Sequence, residues 1–132
     1  MRTNERIGGD ENPTGTRIPH TLSASTIIGD PVVNEYGEDL GKIEELMIDL
    51  DGGRVAYAVL SFGGLFGIGD KLFAVPLEAM QIDTENHRFV LDVDRERLEQ
   101  APGFDKDEWP DSADLDYRRA VFVYYGHDPY WE

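Results

Sequence analysis

Residues 54–76 read RVAYAVLSFGGLFGIGDKLFAVP, two apolar strands joined by a glycine-rich connection that is itself apolar. With a period of two, Val55, Tyr57 and Val59 fall on one face of the first strand and Ala56, Ala58, Leu60 and Phe62 on the other. Neither face is polar, so the strand is expected inside a sheet with both faces covered. In the connection, Gly63, Gly64, Gly67 and Gly69 surround Leu65, Phe66 and Ile68. Turns are ordinarily polar, and an exposed apolar loop invites a partner.

Toward the N-terminus, Asp51-Gly52-Gly53 forms a hairpin turn into this strand from one spanning about Leu40 to Leu50, so the two should pair antiparallel. The apolar alternation of the earlier strand is clean from Leu46 to Leu50 and slips between Lys42 and Glu45, where a bulge would restore register. Before it, Val32 and Val33 begin a strand that enters the turn cluster Asn34-Glu35-Tyr36-Gly37-Glu38. Leu22 to Ile28 permit a short helical turn capped by Ser23 or Ser25 and broken by Gly29-Asp30-Pro31. Residues 1–21 mix Gly, Pro, Asn and Thr without a period and read as a flexible leader.

Toward the C-terminus, Lys71 to Val75 is a strand ended by Pro76, and Leu77 to Met80 a single helical turn. Gln81 to Asp83 and Arg88 to Val93 are short strands around the turn Thr84-Glu85-Asn86-His87, with Phe89 and Leu91 on one face. About six short strands result, which close most economically into a small barrel without exposed edges. Asp94 can cap a helix over Arg95 to Gln100, ended by Ala101-Pro102-Gly103. Residues 92–116 hold ten acids and three bases and should form a solvated negative face. From Ser112 the spacing of Leu115, Ala120, Val121, Tyr124 and Tyr125 permits a helix stopped by Gly126, the preferred reading, although Ala120 to Tyr125 also have strand propensity. The aromatics Tyr124, Tyr125, Tyr130 and Trp131 are expected to fold back on the barrel or on a second subunit.

With 132 residues the chain should form one domain plus tails. Its formal charge of -15, from 27 acids against 12 bases, would repel a phosphate backbone, so nucleic acid is not expected as a direct ligand. The absence of cysteine excludes disulfides, thiolate catalysis and cysteine-ligated metals. No run approaches the roughly 20 apolar residues of a membrane span, and the N-terminus lacks a signal-peptide core, so a cytoplasmic location is expected.

Ile28-Gly29-Asp30-Pro31-Val32-Val33, Gly41-Lys42-Ile43-Glu44-Glu45-Leu46-Met47-Ile48-Asp49, the VAYAVLSFGG run and Lys71-Leu72-Phe73-Ala74-Val75-Pro76 together resemble a PRC-barrel domain. Phe104 to Pro110 and the aromatic C-terminus resemble stand-alone bacterial members of that family. The family is similar in architecture to the cytoplasmic domain of the photosynthetic reaction-centre H subunit. The resemblance implies a mainly β, SH3-like antiparallel barrel over residues 22–100 with a short helical extension over 101–132. It also implies an adaptor surface, often homodimeric, with no catalytic residues to carry over.

Gly64 to Lys71 approaches a phosphate-binding loop but has Asp70 at the lysine position and Leu72 instead of Ser or Thr nearby. Asp105, Asp107, Asp111 and Asp116 match calcium-loop spacing, yet Trp109 and Pro110 occupy a ligand position and the glycine position. Asp49 and Asp51 beside Gly52 read as turn residues. His20, His87 and His127 have no metal-ligand or base-nucleophile spacing, and Glu44 and Glu45 should point to opposite faces of a strand. The resulting expectation is a non-enzymatic interaction module without cofactor or metal. It would contact a second copy or a client protein, including a membrane-associated one, through Leu65, Phe66, Ile68, Tyr124, Tyr125 and Trp131. The alternative is a small-ligand or metal-binding protein using the barrel mouth and the acids of residues 105–116.

Overall fold

A computed structural model describes residues 20–63, 70–111 and 114–132. The N-terminal leader and the apolar connection holding Leu65, Phe66 and Ile68 lie outside the described residues, apart from His20 and Thr21 of the leader. Seven strands form among those described: β1 Pro31–Val33, β2 Asp39–Asp49, β3 Arg54–Gly63, β4 Asp70–Val75, β5 Met80–Asp83, β6 Arg88–Leu91 and β7 Gly103–Asp105. Three helices accompany them, α1 Ala24–Ile27, α2 Arg95–Glu99 and α3 Leu115–Tyr124, with a 3-10 turn at Leu77–Ala79. The sheet runs β5-β6-β1-β2-β3-β4-β7, with β3 near its middle.

The sheet is strongly barrel-like in order but does not close, so the expected loss of edges is corrected: β5 and β7 remain as terminal strands. One pair, β1 with β6, is parallel, and the others are antiparallel. The strand β7 was not anticipated from sequence. Gly103-Phe104-Asp105 pairs with Phe73-Leu72-Lys71 of β4, where the reading had seen only a helix stop.

β3 is buried from Ala56 through Phe62, and its two faces enter two cores. Ala58, Leu60 and Phe62 pack with Val32, Leu40, Ile43, Phe73, Phe89 and Leu98. Tyr57 and Val59 pack with Leu72, Ala74, Phe104, Val121 and Phe122. The expected alternation fails at one step. Met47 pairs with Tyr57 but Ile48 pairs with Val55, so Ala56 is an extra, bulged residue. Ala56 therefore joins Tyr57 and Val59 in the second core, while Val55 turns to the other face beside Leu46 and Leu77.

The slip anticipated in β2 is a bulge at Glu44, between the pairs Ile43–Leu60 and Glu45–Val59. Because Ile43 and Leu46 both pack on the first core, Glu44 and Glu45 are both left on the outward side, not on opposite faces as simple alternation predicts. Leu50, counted in the strand pattern, belongs to the turn and is 90 % exposed. The turn is held by Asp49, whose Oδ1 accepts from the backbone N–H groups of Asp51 and Gly52.

Ser23 occupies the N-cap position of α1, and its hydroxyl bonds Thr26 Oγ1 at 2.6 Å instead of a backbone N–H. Asp94 and Asp114 do cap α2 and α3, accepting from Arg97 N at 2.7 Å and Tyr117 N at 2.9 Å. α3 ends at Gly126, φ +79°, where Gly126 N donates to Val123 O and His127 N to Phe122 O. This pattern reverses the chain and returns Tyr130 and Trp131 to the sheet. Buried Asn34 is satisfied throughout: its amide donates to Glu38 Oε1 and Val93 O, and its Oδ1 accepts from Tyr36 N and Glu38 N.

Gly41 lies in β2 with φ +108°, and a Cβ there would sit 2.1 Å from the Ser61 carbonyl oxygen of β3. Gly37, φ +82°, has open space at the same position. Gly37→Ala should cost about 1–2 kcal/mol in urea unfolding, from backbone conformation alone. Gly41→Ala should cost clearly more, on the order of 3–5 kcal/mol, because the β2–β3 ladder must also separate. Equal losses would show that close strand approach is not what Gly41 provides.

Candidate functional site

The second face of β3 is covered by α3 and by the tail that follows it. Val121 and Phe122 are fully buried, each contributing about 1.5–3 kcal/mol by area. Around Phe122 the rings of Tyr130 and Trp131 stand at 5.7 and 5.2 Å, and Phe104 meets Tyr117 at 6.3 Å and Trp109 at 5.0 Å. Burial pushes the phenols of Tyr57, Tyr117 and Tyr125 upward, so they stay neutral.

A polar clamp holds the tail to the β2–β3 turn. Tyr130 Oη donates to Asp49 Oδ2 at 2.5 Å, and Arg118 reaches the same oxygen at 3.4 Å. The Arg118 guanidinium lies 4.4 Å from the centre of the Trp131 ring, and that of Arg54 lies 3.7 Å from the centre of Tyr130. The Asp49 side chain is only 9 % exposed. Its hydrogen bond from Tyr130, with those from Gly52 and Asp51 and the nearby Arg118, holds the carboxyl down at about 2. Tyr130 is pushed upward, first by burial and then by its bond to that carboxylate. Asp49 thus has a structural task, in keeping with its reading as a turn residue. A cleft of ≈ 280 Å³ opens beside the clamp between Met47, Tyr57, Tyr117 and the carboxylates of Asp111 and Asp114.

A second concavity lies on the first-core side, at the seam between β5 and the β2–β3 hairpin. It measures ≈ 380 Å³ and is lined mainly by Leu22, Leu46, Ile48, Val55, Leu77 and Ile82. Leu22 is 40 % exposed, Ile48 55 % and Ile82 47 %. Its lining is predominantly apolar, with His20 and Thr84 at the margins. Sequence reasoning missed this groove. Ile48 and Ile82 were visible as strand residues, but only the open seam leaves them uncovered.

Of the contact residues anticipated from sequence, Tyr124, Tyr125 and Trp131 lie among the described residues. Leu65, Phe66 and Ile68 lie outside the described residues. Tyr124 donates its hydroxyl to Arg97 O at 2.6 Å and stacks with the Arg97 guanidinium at 4.5 Å, while Tyr125 packs against both cores. Trp131 is engaged by Phe122 and Arg118. All three serve intramolecular packing. His87 sits in the β5–β6 turn with φ +53°, His127 follows α3, and His20 borders the apolar groove. Acids from Asp92 to Asp116 are exposed wherever described, as the expected negative face requires. Among the described residues no three His, Asp or Glu side chains converge as a metal site would need.

The clamp makes tail docking acid-sensitive. Asp49 is lowered in the folded chain from 3.8 to about 2, so its contribution is complete above pH 3.8 and is lost as pH falls through about 2. In a Trp109→Phe background, Trp131 fluorescence should change within that window and remain steady above it. Asp49→Asn should abolish the step, whereas an unaltered acid transition in that variant would contradict the clamp.

The PRC-barrel domain profile matches residues 19–98, well over half of the chain, and covers α1 through β6 and most of α2. No curated protein matches the chain. Among the described residues no helix is long and apolar enough to cross a membrane. The match agrees with the resemblance carried by the Ile28–Val33, Gly41–Asp49 and Lys71–Pro76 motifs, and the chain belongs to the PRC-barrel family.

Proposed function

We propose that the chain is a non-enzymatic adaptor that self-associates and offers a further surface to a client protein. The observation that carries this reading is the exposure of Leu22, Ile48 and Ile82 in one groove of a chain with formal charge -15. Contiguous exposed apolar surface on a small domain marks an interaction site. Membership of a family whose domain often mediates interactions supports the same class of function. The sequence adds Leu65, Phe66 and Ile68, apolar residues between glycines, as candidates for a further contact. A cytoplasmic, bacterial setting, with a basic or membrane-associated protein as client, fits the acidic charge balance and belongs to the same proposal.

Self-association by an apolar face of a highly acidic chain has a characteristic salt response. Like-charged copies repel, and salt screens that repulsion without weakening apolar contact. Light scattering should give a mass rising from 14.9 kDa toward twice that value with concentration, and the rise should steepen with added sodium chloride. A mass fixed at 14.9 kDa into the millimolar range would contradict self-association. A dimer that dissociates as salt is added would contradict the apolar origin of the contact.

A further inference from the structure

We infer that the seam groove and the outer edge of β5 form the self-association face, with a second copy of this chain as occupant. The inference rests on the self-associating reading above and names its surface. Three observations converge. First, β5 is a terminal strand, and among the described residues no strand pairs with its outer side. Ile82, in its centre, is 47 % exposed and lines the groove. A terminal strand presents unpaired backbone groups, and a two-fold axis across it pairs the strand antiparallel with itself. The same axis brings both grooves to one interface.

Second, two carboxylates beside the groove are each paired with a cation of this chain. Arg54 pairs with Glu78 at 2.8 Å, beside the lining residues Val55 and Leu77. Arg88 pairs with Asp83 at 3.0 Å, directly beside Ile82 and Thr84. In a chain of net -15, pairing these two acids with cations lowers the repulsion between copies that approach over this face. A strongly basic partner would have to compete with Arg54 and Arg88 for those carboxylates, so charge favours a second copy over a cationic client here.

Third, the other terminal strand is unsuited to the task. β7 has three residues, ends on exposed Asp105 and runs directly into Lys106, Asp107 and Glu108, all exposed. Charge at a short edge suppresses strand pairing, and two such edges would bring like charges together. β5 therefore provides the self-pairing edge.

The test uses the full chain. Ile48→Asp and Ile82→Asp alter exposed side chains and should preserve the circular dichroism of the parent. Each should weaken dimerisation by at least about a hundredfold, because a carboxylate enters an apolar contact. Leu50→Asp, at a turn residue that is 90 % exposed and not among the groove's lining residues, should leave the dimer intact. Independently of any variant, amide exchange at Gln81, Ile82 and Asp83 of the parent should slow as concentration carries it from monomer to dimer.

If Ile48→Asp and Ile82→Asp dimerise like the parent while Leu65→Asp or Phe66→Asp does not, the groove assignment fails and self-association stands. Concentration-independent exchange in β5 of a dimeric parent would overturn the assignment in the same way. A parent that remains monomeric overturns both readings.

Discussion

A strand buried on both faces has to be covered twice, and β3 places that demand at the centre of this chain. From Ala56 to Phe62 every residue is buried, so a single layer on one side would leave half of the strand in water. The rest of the fold divides according to which face it covers. β1, β6, α1 and α2 supply Val32, Phe89, Ile27 and Leu98 to one side. β7, α3 and the C-terminal tail supply Phe104, Phe122, Tyr130 and Trp131 to the other. The matched PRC-barrel region ends at residue 98, so the second cover comes largely from residues beyond it.

That division bears on function. The aromatic C-terminus, which in isolation looks like a contact surface, helps cover β3 and joins the clamp of Asp49, Arg118 and Tyr130, with its rings half-buried. The seam is different. Because β5 does not hydrogen-bond across to the β2–β3 hairpin, Ile48, Val55 and Ile82 face a groove instead of an interior. The bulge at Ala56 contributes directly, since it turns Val55 toward that groove and away from the C-terminal layer. One extra residue in a strand thus helps set both the inner packing and the outer surface.

The elements of the barrel were legible because their signals are local. Period-two apolar runs marked β3 and β4, Asp51-Gly52-Gly53 marked the hairpin, and Asp94 announced the cap of α2. The bulge at Glu44 was legible because it breaks a polar alternation. The bulge at Ala56 was not, because both faces of β3 are apolar and a shift between them leaves no trace in hydrophobicity. β7 was missed because three residues after a proline carry little periodic signal, and its partner β4 is distant in sequence. The open seam depends on which strands fail to pair, a non-local property. The groove accordingly had no sequence signature beyond the separate presence of Ile48 and Ile82.

The two covers of β3 should behave as one cooperative unit, and native-state amide exchange of the full chain measures this directly. Phe122→Ala removes a ring from the second cover alone, at a cost of about 3–5 kcal/mol. Exchange at Val59 and Leu60 should then accelerate on the order of a hundredfold or more, together with the amides of Phe89 and Leu91 on the opposite side. If the substitution loosens only α3 and the tail while β3 keeps its protection, the second cover is dispensable and the central role given to two-sided burial is wrong.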